Sequence, residues 1–283
     1  MKRAIAGGLV ATSVAVGACL FPSVDPLGGT GGDAALDAPV EIGVDAAPDV
    51  APDAVPDAPP DAGPCANDDP STVAHYLFDE GSGTTIHDCS PHGFDAELTG
   101  NNAATHWTTG HAGSAVLFVP NDGVCVIVSS TQANQVGGSL TVAAWITLFD
   151  SGGGYVIGQR QQTGYGWRID IEGTDAGSDL GFSIGIGDGT GNDDSADTFV
   201  DIGAWHHVAG VFDATAGTQT LYLDGTPYAA APAAPGIVAD PLGTTIRIGC
   251  RGDDSNYFPG IIDDARVYAR AFSGSEIAAL AAE

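Results

Sequence analysis

Residues 168–172 (RIDIE) place three charged side chains at alternate positions of a predicted β-strand. Successive side chains of a strand point to opposite faces, so Arg168, Asp170 and Glu172 are expected to share one face. Paired carboxylates can act as nucleophile and acid/base in the hydrolysis of a glycosidic bond, and they also accept hydrogen bonds from hydroxyl groups. An arginine supplies no nucleophilic oxygen. The segment therefore indicates the polar face of a half-buried strand, with a non-catalytic binding cleft on Asp170 and Glu172 as the functional alternative.

Closely spaced acidic residues supply the hard oxygen donors that calcium prefers. The loop Asp188–Asp194 has this composition but lacks the distal glutamate of an EF-hand, so we favour a solvated acidic turn, with a calcium site as the alternative. His206 and His207 are adjacent and should point to opposite faces of a strand, so they cannot share a metal ion. The sequence shows no zinc-ligand spacing, Ser/His/Asp order or phosphate-binding glycine loop.

The elements that position these residues are predicted to be β-strands. Beyond Cys65, short apolar runs alternate with Gly, Asp and Asn, which is typical of an all-β sandwich or barrel. Asp224-Gly225 is a hairpin signal, and Ser273–Glu276 forms a capping box before a short C-terminal helix. The predicted strands are Ala74–Phe78, Ala115–Val119, Cys125–Ser129, Leu140–Phe149, Tyr155–Gln159, Trp167–Glu172, Leu180–Ile186, Trp205–Phe212, Gln219–Leu223, Thr245–Gly249 and Ile261–Tyr268.

The N-terminus predicts export. Two basic residues precede an apolar run from Ala4 to Val16, which is the pattern of a signal peptide over residues 1–18. Val16–Cys19 resembles the lipobox of bacterial lipoproteins, so Cys19 is expected to carry lipid and to tether the chain to the cell envelope. Leu20, in place of an aspartate, favours the outer membrane. The alternative is an ordinary signal peptide followed by a chance cysteine.

Residues 19–64 are predicted to be a disordered, acidic linker rich in Pro, Asp and Ala. Proline at every fourth position removes the donors that a helix needs, and the regularly spaced acids repel one another. The chain should therefore be extended and polyproline-like. The acids that set the period are Asp33, Asp37, Glu41, Asp45, Asp49, Asp53, Asp57 and Asp61.

The net charge of −28 constrains the partners. A surface this acidic repels phosphate backbones and anionic lipid, so nucleic-acid binding is excluded and contact with the membrane is expected only through the lipid anchor. Neutral glycans, cell-envelope proteins and divalent cations stay compatible with this charge.

Four cysteines remain when Cys19 is set aside, an even number in an oxidising compartment. They allow three pairings. We favour Cys65 with Cys89, which would staple the end of the linker to the opening loop and would leave Cys125 with Cys250. A metal site is the rival interpretation, but there is no Cys-x-x-Cys pair.

Five motifs in order resemble the laminin-G-like jelly rolls of the concanavalin A-like lectin/glucanase superfamily. The resemblance implies that residues 65–283 form a two-sheet antiparallel jelly-roll sandwich, but a fold does not by itself specify a function. The motifs lie at Tyr76–Ser90, Leu140–Ile146, Trp205–Ala209, Leu221–Gly225 and Phe258–Ile277.

The same superfamily contains laminarinase-like glycosidases, which carry Glu-x-Asp-x-Glu on one strand. Arg168 stands at the position that matches their nucleophile, so the resemblance implies that Asp170 and Glu172 bind ligand without catalysis. Trp167 and Tyr165 are the expected aromatic partners of this ligand site, with Tyr155 and Tyr257 as further candidates for an aromatic cluster.

The similarity to the last strand of these glucanases also implies a structural calcium ion. The aspartate that matches their ligand is Asp263, and its expected neighbours are Asp79, Glu80 and Asp88. The alternative is that Asp263 caps the end of a strand.

The leading hypothesis is a non-catalytic recognition module that binds glycans or protein partners at the cell surface or in the periplasm. One alternative is a degenerate or unorthodox glycoside hydrolase that uses Asp170 and Glu172. The other is a purely structural envelope lipoprotein.

Overall fold

The computed structural model describes residues 69–128, 136, 138–160, 165–174, 177–186, 198–232, 245–252 and 254–283. These residues form sixteen strands and one α-helix, α1, at Gly274–Leu280. The strands are β1 Thr72–Tyr76, β2 Thr85–Ile86, β3 Ala96–Thr99, β4 Trp107–Thr109, β5 Ser114–Phe118, β6 Cys125–Val128, β7 Leu140–Leu148, β8 Gly154–Arg160, β9 Tyr165–Thr174, β10 Gly177–Ile186, β11 Thr198–Phe199, β12 His206–Asp213, β13 Thr218–Leu223, β14 Thr226–Pro232, β15 Arg247–Ile248 and β16 Gly260–Tyr268.

The strands are divided equally between two antiparallel sheets. Sheet A has the order β14–β13–β12–β7–β16–β5–β4, with β1 also paired to β16. Sheet B has the order β11–β10–β9–β8–β15–β6–β3–β2. This arrangement confirms the predicted jelly-roll sandwich.

The core lies between the inner faces of the two sheets. In β7, Val142, Ala144 and Ile146 point inward and are fully buried. In β9, Ile169 and Ile171 do the same from sheet B. Alternation of side chains along each strand thus fills one continuous apolar core.

The outer face of sheet A is covered by α1. Ile277 and Leu280 pack with Tyr222, Tyr268 and other residues into a second apolar cluster. Ser273 caps the helix by accepting a hydrogen bond from the Glu276 N–H, and the Glu276 side chain accepts one from the Ser273 N–H. The predicted capping box is confirmed.

The predicted hairpin after β13 is also confirmed. Asp224 and Gly225 both have positive φ, 49° and 73°, and Leu223 pairs with Thr226. Two central residues with positive φ give a turn whose twist matches that of the flanking strands.

Cys125 and Cys250 form a disulfide, with Cα atoms 5.4 Å apart, that joins β6 to the segment after β15. Cys89 is also disulfide-bonded. Cys65 lies outside the described residues, as do Cys19, the signal peptide, the linker of residues 19–64 and the loop Asp188–Asp194. Within the described part of the chain, no helix is both long and apolar enough to cross a bilayer.

Candidate functional site

Strand β9 presents its charged residues on the outer face of sheet B, as the sequence predicts. Trp167 and Ile169 point into the core, where each is at most 1% exposed. Arg168, Asp170 and Glu172 alternate with them and face outward. Asp170 is 8% exposed, whereas Glu172 is open to solvent.

An ion pair organises this face. The Arg168 Nε atom lies 2.8 Å from Asp170 Oδ2, and the Arg168 guanidinium lies 5.8 Å from the centre of the Tyr155 ring. Tyr155, on β8, is the register partner of Asp170 and is almost fully buried. Arg168 therefore neutralises the Asp170 carboxylate.

An open cleft of about 690 Å³ lies at the end of β8 and β9, and we call it the β8–β9 cleft. Asp170 and Glu172 contribute its carboxylate oxygens, and Asn256 contributes an amide. Its full lining is Ser151, Gly152, Gly153, Gly154, Tyr155, Asp170, Ile171, Glu172, Gly173 and Asn256.

Two glycines allow the backbone segments around this cleft to approach closely. A Cβ atom at Gly154 would lie 2.6 Å from the Phe258 Cα atom, and a Cβ at Gly173 would collide with the Ser151 carbonyl oxygen. Any side chain at these positions would push the segments apart. The run Gly152–Gly154, which ends at the first residue of β8, is a sequence signal for the approach at Gly154, and Asn256 has no comparable signal.

Of the aromatic residues predicted for the ligand site whose side chains the structure describes, only Tyr155 lines the cleft. Trp167 is 1% exposed inside the core, so its assignment to ligand binding is wrong: it shares the inward face of β9 with Ile169. Tyr257 lies near Gly123, and Tyr155 lines the cleft mostly buried. The side chain of Tyr165 lies outside what the structure describes.

A third carboxylate lies beside the cleft, and sequence reasoning missed it. Asp179 on β10 is the register partner of Glu172, so both side chains are on the outer face of sheet B. Asp179 Oδ1 is buried and accepts no hydrogen bond. Only the register between β9 and β10 brings these two residues together.

The predicted calcium ligands Asp79 and Asp263 line one cavity of about 180 Å³ on the outer side of sheet A, which we call the Asp79–Asp263 cavity. Both carboxylates contact the turn between β4 and β5. Asp263 Oδ2 accepts a hydrogen bond of 3.1 Å from the Ala112 N–H, and Asp79 Oδ1 accepts one of 2.8 Å from the Ser114 N–H. These bonds fix the turn against sheet A.

Glycines in that turn make room for the two carboxylates. A Cβ at Gly110 would lie 2.5 Å from Asp263 Oδ2, and a Cβ at Gly113 would collide with Asp79. The two carboxylates thus lie beside carbonyl oxygens of the turn, and oxygen donors of this kind are the ligands that calcium prefers.

The other two predicted calcium ligands are engaged elsewhere. Asp88 accepts hydrogen bonds from the N–H groups of His75, Ser90 and Phe94, so it caps the loop after β2. Glu80 Oε1 accepts one from the His87 N–H. Among the described residues, no group of three or more His, Cys, Asp or Glu side chains is arranged to hold a metal ion. The four-residue set does not assemble, and only Asp79 with Asp263 fits.

The neighbouring Asp264 belongs to a buried ion-pair network. It accepts hydrogen bonds from Arg266 at 2.8 and 2.6 Å and lies 2.7 Å from His75 Nε2. These partners lower the pKa of Asp264 to about 2 in spite of its burial, whereas burial raises the pKa of Asp263 to about 7. The structure therefore shifts the pKa values of these two adjacent aspartates in opposite directions.

His206 and His207 face opposite sides of β12, as predicted. His206 Nδ1 lies 2.9 Å from Asp224 Oδ2. His207 packs edge-on against Trp145, which in turn stacks on His111 at 3.6 Å between ring centres. Burial lowers the pKa of His207 to about 4, so this residue is a neutral packing group near pH 7.

Several solved structures share this fold. Domain 4 of AbnA, a GH43 extracellular arabinanase from Geobacillus stearothermophilus solved with arabinotriose, matches with a TM-score of 0.57 and 19% identity, over 75% of this chain and 98% of that domain. The binding domain of botulinum neurotoxin DC, solved with rat synaptotagmin II, matches with a TM-score of 0.55 and 17% identity. The botulinum neurotoxin type C structure described with two ganglioside molecules matches with a TM-score of 0.55 and 16% identity.

Each toxin match covers 75% of this chain but 51% of the toxin chain, so this protein spans about half of their length. At these identities the likeness shows the fold alone. No curated protein matches the chain. The family profile of the concanavalin A-like lectin/glucanases matches residues 121–278, more than half of the chain. Together with the two-sheet sandwich, this match shows that the chain belongs to the concanavalin A-like lectin/glucanases superfamily.

Proposed function

We propose that this protein is a non-catalytic recognition module that binds glycans in the β8–β9 cleft. The observation that carries the proposal is an open cleft of about 690 Å³ whose carboxylate, amide and backbone groups face a solvent-accessible space. Such groups hydrogen-bond the hydroxyls of a sugar. The arabinanase domain solved with arabinotriose and the toxin structure described with gangliosides support a glycan ligand for this fold.

The ion pair of Arg168 with Asp170 supports binding without hydrolysis. A retaining glycosidase needs one carboxylate as nucleophile and a second carboxyl group as acid/base on either side of the bond. Arg168 lies outside the cleft lining, on the same face of β9, at the position that the resemblance assigns to the nucleophile, and its Nε atom lies 2.8 Å from Asp170 Oδ2. Glu172 is left without the nucleophile that a retaining mechanism requires.

The test is a binding screen of the full-length protein against immobilised oligosaccharides, with reducing-sugar release followed in parallel. We expect binding that falls at least about tenfold in Glu172→Gln, which corresponds to one charge-assisted hydrogen bond, and no release of sugar. Glu97→Gln is the matched control, because Glu97 is an exposed glutamate on β3 of the same sheet. If both variants bind as well as the wild type, the ligand site does not lie in the β8–β9 cleft. If the protein releases reducing sugar, the non-catalytic role is wrong.

We propose in addition that Cys19 anchors the module to the cell envelope, at the outer membrane, and that residues 19–64 hold it away from the lipid. The signal-peptide pattern, the lipobox-like Val16–Cys19 and the proline period support this. Metabolic labelling with radioactive palmitate tests it. Label in the wild type that is lost in Cys19→Ala supports the anchor, and an unlabelled, processed chain contradicts it.

We also propose a structural calcium ion held by Asp79 and Asp263. Both carboxylates line one cavity and lie against the same glycine-containing turn. A bound divalent cation would tie the opening segment, this turn and β16 together. Unfolding followed by calorimetry with calcium and with a chelator tests this proposal.

A further inference from the structure

Two carboxylates face each other across neighbouring strands beside the β8–β9 cleft: Glu172 lines the cleft, and Asp179 lies next to Glu172 on β10. Glu172 on β9 and Asp179 on β10 are direct register partners, so their Cβ atoms are expected to lie about 5 Å apart on one face. Like charges placed directly opposite each other destabilise a sheet. The arrangement thus has an energetic cost that packing does not explain.

No cation in the described structure offsets this charge. The side-chain carboxylates of Glu172 and Asp179 make no hydrogen bond or ion pair with any described residue, and Asp179 Oδ1 is withdrawn from solvent. The nearest arginine along β9, Arg168, has its Nε atom at Asp170. The residues that line the cleft include no basic side chain. A buried carboxylate oxygen without a donor costs free energy that a positively charged ligand group would recover.

The same face has room for that group. The register partner of Asp170 on β10 is Gly181, which has no side chain to fill the space beside the carboxylates. Glu172 itself is exposed and lines the cleft. A group that enters the cleft can therefore approach Glu172 from the solvent side, with Asp179 beside it on the neighbouring strand.

We propose that the β8–β9 cleft is selective for glycans that carry protonated amines, that is, for amino sugars with a free ammonium group. This inference rests on the proposed glycan-binding function and specifies its ligand class. An ammonium group offers three donors and one positive charge, which match two carboxylates that accept no other hydrogen bond. Uronic acids and sulfated sugars carry the opposite charge and are disfavoured at this site.

The experiment compares glucosamine oligomers with N-acetylglucosamine oligomers of the same length, by calorimetric titration of the full-length protein in a mildly acidic, low-salt buffer. The two ligands share a backbone and differ in the charge of the 2-substituent. We expect the glucosamine oligomer to bind about tenfold more tightly, with a preference that weakens as salt is added. Glu172→Gln and Asp179→Asn should each reduce the preference severalfold, and Glu97→Gln should leave it unchanged.

Three results would overturn the inference. If both oligomers bind equally, glycan binding stands and selectivity for amines is wrong. If neither they nor neutral oligosaccharides bind, the proposed function fails together with the inference. If binding of neutral sugars requires added calcium and is lost with a chelator, the two carboxylates hold a metal ion and not an ammonium group.

Discussion

Arg168 and Asp170 form an ion pair along one face of β9, with 2.8 Å between Nε and Oδ2, and Asp170 is 8% exposed. In Arg168→Gln the largely buried carboxylate loses its cation. We expect the free energy of unfolding to fall by about 1–3 kcal/mol, because breaking one partner of a buried pair leaves an uncompensated charge. Urea denaturation measures this change.

The double variant Arg168→Gln/Asp170→Asn provides the control. When both partners are neutral, no charge remains buried, so we expect most of the lost stability to return. Strictly additive losses of stability in the double variant would show that the two side chains act independently. The claim that Arg168 neutralises the Asp170 carboxylate would then be wrong.

Asp179→Asn should stabilise the protein. The substitution keeps the shape of the side chain and removes one of two like charges that face each other across β9 and β10. We expect the free energy of unfolding to rise by about 0.2–1 kcal/mol at low salt, and Glu97→Gln to have little effect. A loss of stability in Asp179→Asn would mean that the carboxylate is structural and that the repulsion argument fails.

Stability should depend on pH through the cluster of Asp69, Arg270 and Glu276. Arg270 Nη2 lies 2.5 Å from Asp69 Oδ2 and 2.8 Å from Glu276 Oε1. Hydrogen bonds from Arg270 hold the pKa of Asp69 well below its usual range and lower the pKa of Glu276 from 4.5 to about 2. A carboxylate whose pKa is lowered by folding stabilises the protein above its unfolded pKa and loses that contribution as the pH falls.

The contribution of Glu276 is therefore complete above about pH 4.5 and is lost as the pH falls through 2, and that of Asp69 is lost at still lower pH. Because the groups are partly exposed, Arg270→Gln should cost only about 1 kcal/mol near pH 7, and its difference from the wild type should shrink in acid. Unfolding curves measured across this range provide the test. A difference that grows as the pH falls would contradict the assignment.

Calcium should raise the unfolding midpoint of the wild-type chain by several degrees relative to a chelator, because a ligand of the native state stabilises it by mass action. Asp79→Asn and Asp263→Asn should lose this response, and Glu97→Gln should keep it. Scanning calorimetry measures the shift. An identical midpoint with calcium and with chelator would leave Asp79 and Asp263 as residues that only hold the turn between β4 and β5.

The fold was predictable from the sequence because its longer strands carry clear patterns. Leu140–Leu148 is an almost continuous apolar run that is buried along its whole length, and Asp224-Gly225 marks its own hairpin. Strands β2 and β11 have two residues each, which is too short for any period to show. Strand β14 was missed because its sequence, TPYAAAP, lacks the β-branched and aromatic residues typical of strands apart from Thr226 and Tyr228.

At the candidate site, the sequence predicted only the relationships between residues of the same strand. Alternation along β9 correctly placed Asp170 and Glu172 on a common face, and the same alternation assigns Trp167 to the core. Glu172 and Asp179 are neighbours because of the register between β9 and β10. The three hydrogen bonds from backbone N–H groups to the Asp88 carboxylate depend on the loop conformation. Neither can be deduced from residue types.

The central claim is that a glycan occupies the β8–β9 cleft. Hydrogen–deuterium exchange of the full-length protein, with and without the oligosaccharide that binds best in the screen, locates the ligand most directly. The account predicts slower exchange in peptides that cover residues 151–156 and 168–173, and little change on sheet A around residues 140–148. Protection confined to sheet A, or none with any oligosaccharide, would contradict it.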